Sequence, residues 1–433
     1  MSFKLARVAG ICAALATTPA LAQDLHAEIA LLKAHIAALE ARLDQMEQQK
    51  VAPPPATQAQ AAPAAPAPAA TQAGAATAFN PEIGVVLDGR YGAFGKDPAA
   101  YTLPGFARGD AANPSLRGFA LGESEIAMSS NIDQWLYGAA VISFERDGAV
   151  GVEEAYIQST SLPWGFTAKA GRFFAGFGYL NAQHKHTWDF ADAPLAYLAF
   201  LNEQYGDDGM ELRWLAPADV FLELGGALAR GDAFPAGGAA NRGVGAWNVF
   251  AHAGDDLNEA SNFRVGAGFL RTLAHDRATD DAAANLYTGY SNTGIVDAVY
   301  KWAPGGNATE TTLKLQAEYF VREERGAFTT IPYVGHQHGW YAQAVYQFMP
   351  RWRFGLRYDR VYAESLDRQL AGSALDNMGH APTRYSAMLD YSTSEFGRFR
   401  LQLNRDESRP TDIDNQVLLQ YTVSFGTHPA HNY

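Results

Sequence analysis

The sequence predicts an all-β protein: a transmembrane β-barrel of about 16 antiparallel strands, preceded by an N-terminal coiled-coil helix and a disordered Pro/Ala linker. Two observations predict the barrel. Apolar and polar residues alternate with a period of two, and the connections between strands are alternately short and long.

The alternation is clearest between residues 339 and 403. Trp340, Tyr346 and Phe348 fall on one face of a strand with alanines between them, while Gln343 and Gln347 fall on the other. Successive side chains of a strand point to opposite sides, so the segment has one apolar and one polar face. Aromatic and small residues opposite Arg and Gln are typical of a wall between lipid and water.

The first 22 residues have the pattern of a secretory signal peptide. Lys4 and Arg7 precede an apolar run, and Ala20-Leu21-Ala22 resembles a cleavage site. The apolar run is too short to span a membrane. We therefore expect residues 1–22 to direct export.

Residues 24–50 predict a periplasmic coiled coil. Ile29, Ile36 and Leu43 fall at heptad position a, and Leu25, Leu32, Leu39 and Met46 fall at d. The flanking charges suit a parallel coil, and the alternative is a lone amphipathic helix. Ile at a with Leu at d favours a dimer, whereas porin-like barrels usually form trimers, so we favour a homotrimer. Residues 51–78 are almost wholly Ala, Pro, Gln and Thr, which predicts an extended linker.

Composition excludes several classes of protein. The only cysteine, Cys12, lies in the predicted signal peptide, so disulfides are not expected. A formal charge of −13 argues against a nucleic-acid partner. The sequence contains no glycine-rich phosphate loop, nucleophile elbow or His-Glu-x-x-His motif, and we expect no enzymatic activity and no resident cofactor.

Residues 79–433 are predicted to form the barrel in a Gram-negative outer membrane, with both termini in the periplasm. Short turns alternate with long connections, of which the longest spans residues 176–208 and is expected to fold into the lumen and narrow it. The predicted strands span residues 82–94, 118–130, 135–146, 151–161, 166–175, 209–215, 219–230, 244–253, 262–273, 293–303, 310–323, 338–348, 351–363, 382–392, 396–406 and 415–426.

Six segments of the chain resemble two families of outer-membrane proteins. The strand pair at residues 153–158 and 166–181 is similar to that of the phosphate-selective porin superfamily. Residues 79–83, 188–195, 230–237 and 346–353 more closely resemble a proteobacterial family often labelled zinc-regulated TonB-dependent outer-membrane receptor. TonB-dependent receptors need a plug and about 22 strands, for which this chain has no room. The resemblance therefore implies a porin-like barrel.

Arginines cluster on the predicted inner face of three neighbouring strands. Neighbouring strands lie about 4.8 Å apart, so the arginines can form one basic stripe that attracts anions. The alternative is a mixed ladder of charges that offset one another, because the same wall carries Asp359, Asp390 and Glu318. The predicted stripe consists of Arg353, Arg357, Arg384, Arg398 and Arg400.

Histidines with nearby carboxylates suggest zinc as a ligand or a transported ion. His184 and His186 lie with Asp189 in the long loop, and His336 and His338 are expected in an outer loop. A His-x-His pair on an extended segment can supply two metal ligands, although exposed loop histidines are more often simply solvated.

The sequence thus predicts a channel for the diffusion of small hydrophilic solutes, with a preference for anions. Two alternatives stay open at this point: a metal-binding receptor at the histidine loops, and an envelope tether that works through the coiled coil. The expected partners are outer-membrane lipid, small solutes or ions, and further copies of the chain.

Overall fold

The computed structural model describes residues 81–108, 117–144, 148–237, 241, 243–279, 286–366 and 368–426. The predicted signal peptide (1–22), coiled coil (24–50) and linker (51–78) lie outside these residues and stay predictions. Among the described residues, no helix has the length and apolar character needed to cross a membrane.

The described residues form an almost entirely β structure. Its one α-helix within these ranges is α1 (Leu195–Leu201), and single 3₁₀ turns occur at Pro98–Ala100, Pro163–Gly165, Lys185–Thr187, Pro304–Gly306 and Arg368–Leu370. The strands are β1 (Glu82–Phe94), β2 (Gly118–Leu121), β3 (Ser124–Asn131), β4 (Leu136–Phe144), β5 (Val150–Ser159), β6 (Phe166–Phe174), β7 (Gly206–Leu215), β8 (Phe221–Ala229), β9 (Ala246–Asn258), β10 (Ser261–Ala278), β11 (Leu286–Trp302), β12 (Thr312–Phe328), β13 (Ile331–Met349), β14 (Trp352–Ala363), β15 (Thr383–Ser394), β16 (Gly397–Glu407) and β17 (Asp414–Gly426).

The sheet closes on itself. From β3 onward, each strand pairs antiparallel with the next along the chain, and β17 pairs with β1 from Gly84–Gly426 to Phe94–Gln416. Both β2 and β3 pair with β1, so they are two parts of one wall strand interrupted at Gly122 and Glu123. The predicted closed, 16-stranded antiparallel barrel is confirmed.

The two faces of the wall differ as the alternation predicts. On β16 and β17, Leu403 and Leu419 point outward and are about half exposed, whereas Gln402 and Gln420 point inward and are buried. Aromatic pairs such as Phe399–Tyr421, with centroids 4.1 Å apart, stack between neighbouring strands on the outer face. An apolar outer surface of this kind fits contact with hydrocarbon.

Strands β10 to β13 are longer than predicted, with 17 to 19 residues each. A membrane needs only about 9–11 residues per strand, so these strands extend beyond it. Residues 324 and 325 lie beyond the predicted strand at 310–323, yet they pair in register with residues 335 and 334 on β13. Beyond the lipid, the outer face of a strand need not be apolar. The alternation of apolar and polar residues that indicates a strand in the sequence is therefore lost there.

The barrel interior is packed with side chains. Residues 95–108 and 175–205 both fold inward, and Leu103, Phe106, Tyr197 and Phe200 join one buried apolar cluster with inward residues of β8 to β14. Phe106 and Phe200 meet edge to face, with ring centroids 5.7 Å apart. The predicted inward fold of the loop at 176–208 is confirmed.

Candidate functional site

The candidate functional site is the inward loop, residues 175–205, together with the wall it contacts. Its centre is α1, which starts after Pro194 and ends where Asn202 adopts a left-handed conformation (φ 52°). All seven residues of α1 are apolar or aromatic and buried. A helix that is apolar on every side needs contacts all round, and the barrel wall and the rest of the loop supply them.

Glu318 on β12 attaches the start of the loop and α1 to the wall. Its carboxylate accepts hydrogen bonds from the backbone N–H groups of Tyr179 (3.0 Å) and Leu180 (3.1 Å). It also accepts from the hydroxyls of Tyr197 (2.9 Å) and Tyr341 (2.5 Å). Glu318 is only 2% exposed, so four donors converge on one buried carboxylate.

Asp192 attaches the loop to β14, β15 and β16. Its carboxylate lies 2.7 Å from a guanidinium nitrogen of Arg357 and 3.2 Å from one of Arg384. The side-chain amides of Gln402 (2.6 Å) and Asn404 (3.0 Å) donate to it as well. The loop thus supplies an acceptor to polar groups on three strands.

A second loop carboxylate, Asp189, lies between β12 and β14. Lys314 Nζ is 3.0 Å from it and Arg353 Nη1 is 3.1 Å from it, while Gln343 also donates to it. On the wall itself, the carboxylate of Asp390 forms ion pairs with Arg353 Nη2 at 2.5 Å and with Arg400 Nε at 2.8 Å. These are cross-strand pairs in register, because Asp390 lies opposite both arginines.

All five predicted arginines lie on the inner face of the barrel, where each one donates a hydrogen bond to the inward loop. Arg357, Arg384 and Arg400 are buried beneath it, and Arg400 donates to the backbone oxygen of Trp188 at 2.9 Å. Asp359 and Asp390 form ion pairs with the arginines, and Glu318 accepts hydrogen bonds from backbone N–H groups of the loop. The arrangement has the form of the mixed charge ladder, and lining of an open passage by these residues stays a prediction.

Arg398 differs from the other four arginines. Its guanidinium donates to the backbone oxygen of His186 at 2.7 Å. Within the described ranges, no carboxylate lies within ion-pair distance of it, whereas Arg353, Arg357, Arg384 and Arg400 each have one. Arg398 therefore carries the least compensated positive charge of the five.

The loop carboxylates should keep the loop attached in acid. Burial raises the pKa of Asp192, but Arg384 and Arg357 outweigh it, so this pKa lies well below its usual 3.8. The pKa of Asp189 is lowered in the same way by Lys314 and Arg353, against the effect of burial. A lowered native pKa gives stability that is fully present above about pH 3.8 and lost as the pH falls through the native value.

We therefore predict that the loop resists cleavage by pepsin at about pH 4. Cleavage between residues 183 and 193 should begin only well below pH 3.8. Mass spectrometry of the fragments checks this. Cleavage of the loop at pH 4 as fast as that of heat-unfolded protein at the same pH would show that the ion pairs do not hold it.

A histidine cluster lies where the loop meets β3 and β5. His184 Nδ1 is 3.1 Å from Glu153 and 3.5 Å from Glu125, and its Nε2 is 3.1 Å from Glu154. His186 Nδ1 lies 2.9 Å from Glu125. Burial lowers the pKa of His184, but hydrogen bonds to Glu153 and Glu154 raise it more, and the result is well above the usual value.

The structure does not bring the predicted metal residues together. Asp189 pairs with Lys314 and Arg353 and is not part of the histidine cluster. His336 and His338 do not lie in a loop: they are on the outward face of β13, on the opposite side of the wall. His338 stacks on Tyr362, with centroids 4.6 Å apart, and His336 pairs with Glu364.

Sequence reasoning missed the carboxylates that meet His184. Glu153 and Glu154 are consecutive, so a regular alternation would place them on opposite faces. A register shift between Val141 and Ile142 on the paired β4 breaks the alternation at this point, and both carboxylates reach the same histidine. The Glu-Glu pair was the available signal, but nothing local indicates a bulge.

Comparisons with known proteins agree with the barrel. No known family model matches the chain. An uncharacterised protein of Aquifex aeolicus (strain VF5) is 30% identical over 393 residues, which cover 82% of this chain and 80% of that protein. The resemblance to zinc-regulated TonB-dependent receptors finds no support among these comparisons.

Two solved structures of OmpT, an outer-membrane protein of Vibrio cholerae, have a similar fold. The form that lacks loop L8 has a TM-score of 0.53 at 12% identity, covering 80% of this chain and 99% of that chain. The in-vitro folded protein in its trimer form has a TM-score of 0.51 at 11% identity, with the same coverage. At this identity the likeness concerns the fold alone, a closed antiparallel β-barrel.

Proposed function

Because this chain belongs to the same family as the uncharacterised Aquifex aeolicus protein and folds as a closed porin-type barrel, we propose that it is an outer-membrane channel for the diffusion of small hydrophilic solutes. The observation that carries the proposal is the wall itself, with an apolar outer face and an inner face of paired charges and amides. Such a wall separates lipid from water.

The inward loop fills one side of the barrel interior, so the proposed passage is narrow and runs along the other side. The inner faces of β12 to β16 are buried beneath the loop, whereas those of β4 to β8 are mostly half-buried. On that second side Arg213 and Glu223 keep 26% and 19% of their side-chain surface in contact with solvent. We place the solute path between the loop and the wall of β6 to β8.

Planar-bilayer recording tests this function. Purified full-length protein should insert and give discrete current steps in simple salt solutions, because water and ions can pass beside the loop. A protein that inserts, as judged by protease protection in the same lipid, and yet carries no current would contradict the proposal.

We include a modest anion preference in the proposal. Four of the five arginines have carboxylate partners, so the excess positive charge rests mainly on Arg398. The Arg398→Gln change should move the reversal potential in a salt gradient toward cations. Arg405→Gln on the same strand is the matched control, because Arg405 faces outward and pairs with Glu407. Equal reversal potentials for the wild type and Arg398→Gln would refute the role of Arg398.

Two further parts of the proposal concern assembly and place. We propose a homotrimer in a Gram-negative outer membrane; in support, OmpT of Vibrio cholerae, which shares the fold, has a trimer form. The predicted coiled coil would bring chains together, and its residues lie outside the described ranges. Chemical cross-linking of outer-membrane fractions tests both points at once.

A further inference from the structure

Three carboxylates of the barrel wall converge on one histidine of the inward loop. Glu125 lies on β3, and Glu153 and Glu154 lie on β5, whereas His184 belongs to the loop that joins β6 and β7. One ligand atom each from Glu125, Glu153 and His184 can be chosen so that all three lie within 4.8 Å of one another. Residues far apart in the chain thus meet in a small volume at the inner wall.

The hydrogen-bonding needs of His184 point to a positive charge at its ring. A neutral imidazole has one N–H donor and one bare nitrogen. Both ring nitrogens of His184 face carboxylates, at 3.1 Å for Nδ1 with Glu153 and 3.1 Å for Nε2 with Glu154. Carboxylates only accept, so the nitrogen without hydrogen needs either an added proton or a metal ion between it and the oxygen.

The charge around His184 favours a dication over a proton. Glu123, Glu125, Glu153 and Glu154 surround the site. Of the nearby cations, Lys185 is shared by Glu123 and Glu203, Lys169 lies near Glu154, and Arg90 lies near Glu123 but pairs with Asp88. The Glu123 side chain is only 10% exposed, and its Oε1 atom is buried without accepting a hydrogen bond from any described residue. Uncompensated buried carboxylates are costly, and two positive charges offset them better than one.

The second ring nitrogen of His184 is arranged as in metal sites. A ligating histidine usually donates its other N–H to a carboxylate, which fixes the ring. Glu154 is in that position at Nε2, and it is itself oriented by the backbone N–H of Phe174 at 3.2 Å. On the other side, His186 lies 2.9 Å from Glu125 and stacks on His184 with centroids 5.8 Å apart.

From this geometry we propose that Glu125, Glu153 and His184 Nδ1 bind a divalent transition-metal cation, of which Zn²⁺ is the representative probe. At metal–ligand distances of about 2.0–2.2 Å, neighbouring ligand atoms of a tetrahedral ion lie about 3.4 Å apart, close to the separations from Nδ1 seen here. An imidazole ligand favours Zn²⁺ over Mg²⁺ or Ca²⁺, which prefer oxygen ligands alone. The ion would tie the loop to β3 and β5, at the side opposite the Glu318 attachment.

Metal binding by the full-length protein in detergent tests the site. The protein is first treated with a chelator, and the chelator is then removed. Equilibrium dialysis should find one Zn²⁺ bound at this site per protein chain, and excess Mg²⁺ or Ca²⁺ should not displace it. Glu125→Gln/Glu153→Gln should weaken Zn²⁺ binding by about 100-fold or more, and Glu154→Gln by about 10- to 100-fold, as for groups that orient a ligand. Far-UV circular dichroism and heat-modified gel migration confirm that each variant is folded.

Two controls separate this site from other histidines. His252→Ala removes a buried inner-wall histidine that pairs with Glu223, and His338→Ala removes a histidine on the outer face; neither change should alter the Zn²⁺ affinity. Should the glutamine variants fail to fold, Co²⁺ added to the wild type decides: intense visible bands of a four-coordinate ion support the site, and weak six-coordinate bands overturn it. Unmeasurable Zn²⁺ binding by the wild type, or equal binding by the folded double variant, also overturns it.

The metal site does not depend on the proposed channel function. Dialysis measures binding without any current, and planar bilayers measure current without added metal. A protein that binds Zn²⁺ but carries no current would refute the channel alone, whereas current without Zn²⁺ binding would refute the metal site alone.

Discussion

Replacing Glu318 with alanine is expected to release the inward loop and raise the conductance several-fold. The change leaves the two backbone N–H groups of Tyr179 and Leu180 and the hydroxyls of Tyr197 and Tyr341 without their buried acceptor. Each such donor left unpartnered costs about 1–3 kcal/mol when buried. The loop can recover these hydrogen bonds only by moving toward water, which widens the passage.

The measurements are single-channel conductance and the rate at which sugars of increasing size enter protein-containing liposomes. Glu318→Gln keeps one acceptor oxygen and should fall between the wild type and alanine. Glu323→Gln on the same strand is the control, because Glu323 pairs with Arg325 on a more exposed part of the wall. A folded Glu318→Ala protein with wild-type conductance and sugar cutoff would show that this attachment does not position the loop.

Replacing Asp192 with alanine is expected to make the channel more anion-selective and less stable. Arg357 and Arg384 lose the carboxylate they share. Among the described residues, Arg357 then keeps Asp359 at 2.9 Å, and Arg384 keeps Asp406 at 3.8 Å and Asp359 at 3.9 Å. Breaking a buried ion pair from one side typically costs about 3–5 kcal/mol, because a charge stays buried without its partner. The two guanidinium groups, each with one carboxylate partner fewer, should attract anions once the loop moves away.

Reversal potentials in a salt gradient and heat-modified gel migration measure the two effects of Asp192→Ala. Asp412→Ala is a matched control, since it also removes one negative charge but lies in an exposed pair with Lys96. Asp192→Asn should retain part of the stability, because an amide oxygen still accepts from Gln402 or Asn404. A shift toward cations, or equal shifts in Asp192→Ala and Asp412→Ala, would contradict the role of Asp192.

The barrel follows from local pattern, because the period of two decides which face each side chain occupies. Leu356 and Arg357 lie on the predicted faces for this reason, and so do Leu401 and Gln402. The alternation no longer predicts strands where the two faces of a strand do not differ in polarity. The outer ends of β12 and β13 carry charged and polar residues on both faces, so the hairpin at Thr329 and Thr330 and the outward position of His336 were not predicted.

The site is less predictable because it depends on contacts between distant segments. Asp192 is about 165 residues from Arg357, and His184 about 30 from Glu153 and Glu154. Alternation shows that Glu318 faces inward, but it does not show that loop backbone N–H groups reach it. The alternation predicts that the arginines lie on the inner face of β14 to β16, whereas their carboxylate partners in the loop, such as Asp192, are evident only in the folded chain.

The most direct test is to locate the outer face of the wall relative to lipid. Cys12 is the only cysteine, so in a Cys12→Ser background a single fluorophore can be attached at Leu356→Cys or Leu419→Cys, both outward and about half exposed. Lipids brominated in their acyl chains should quench both fluorophores, and aqueous iodide should quench neither. Strong iodide quenching at both positions with no effect of brominated lipid would contradict a membrane-spanning barrel.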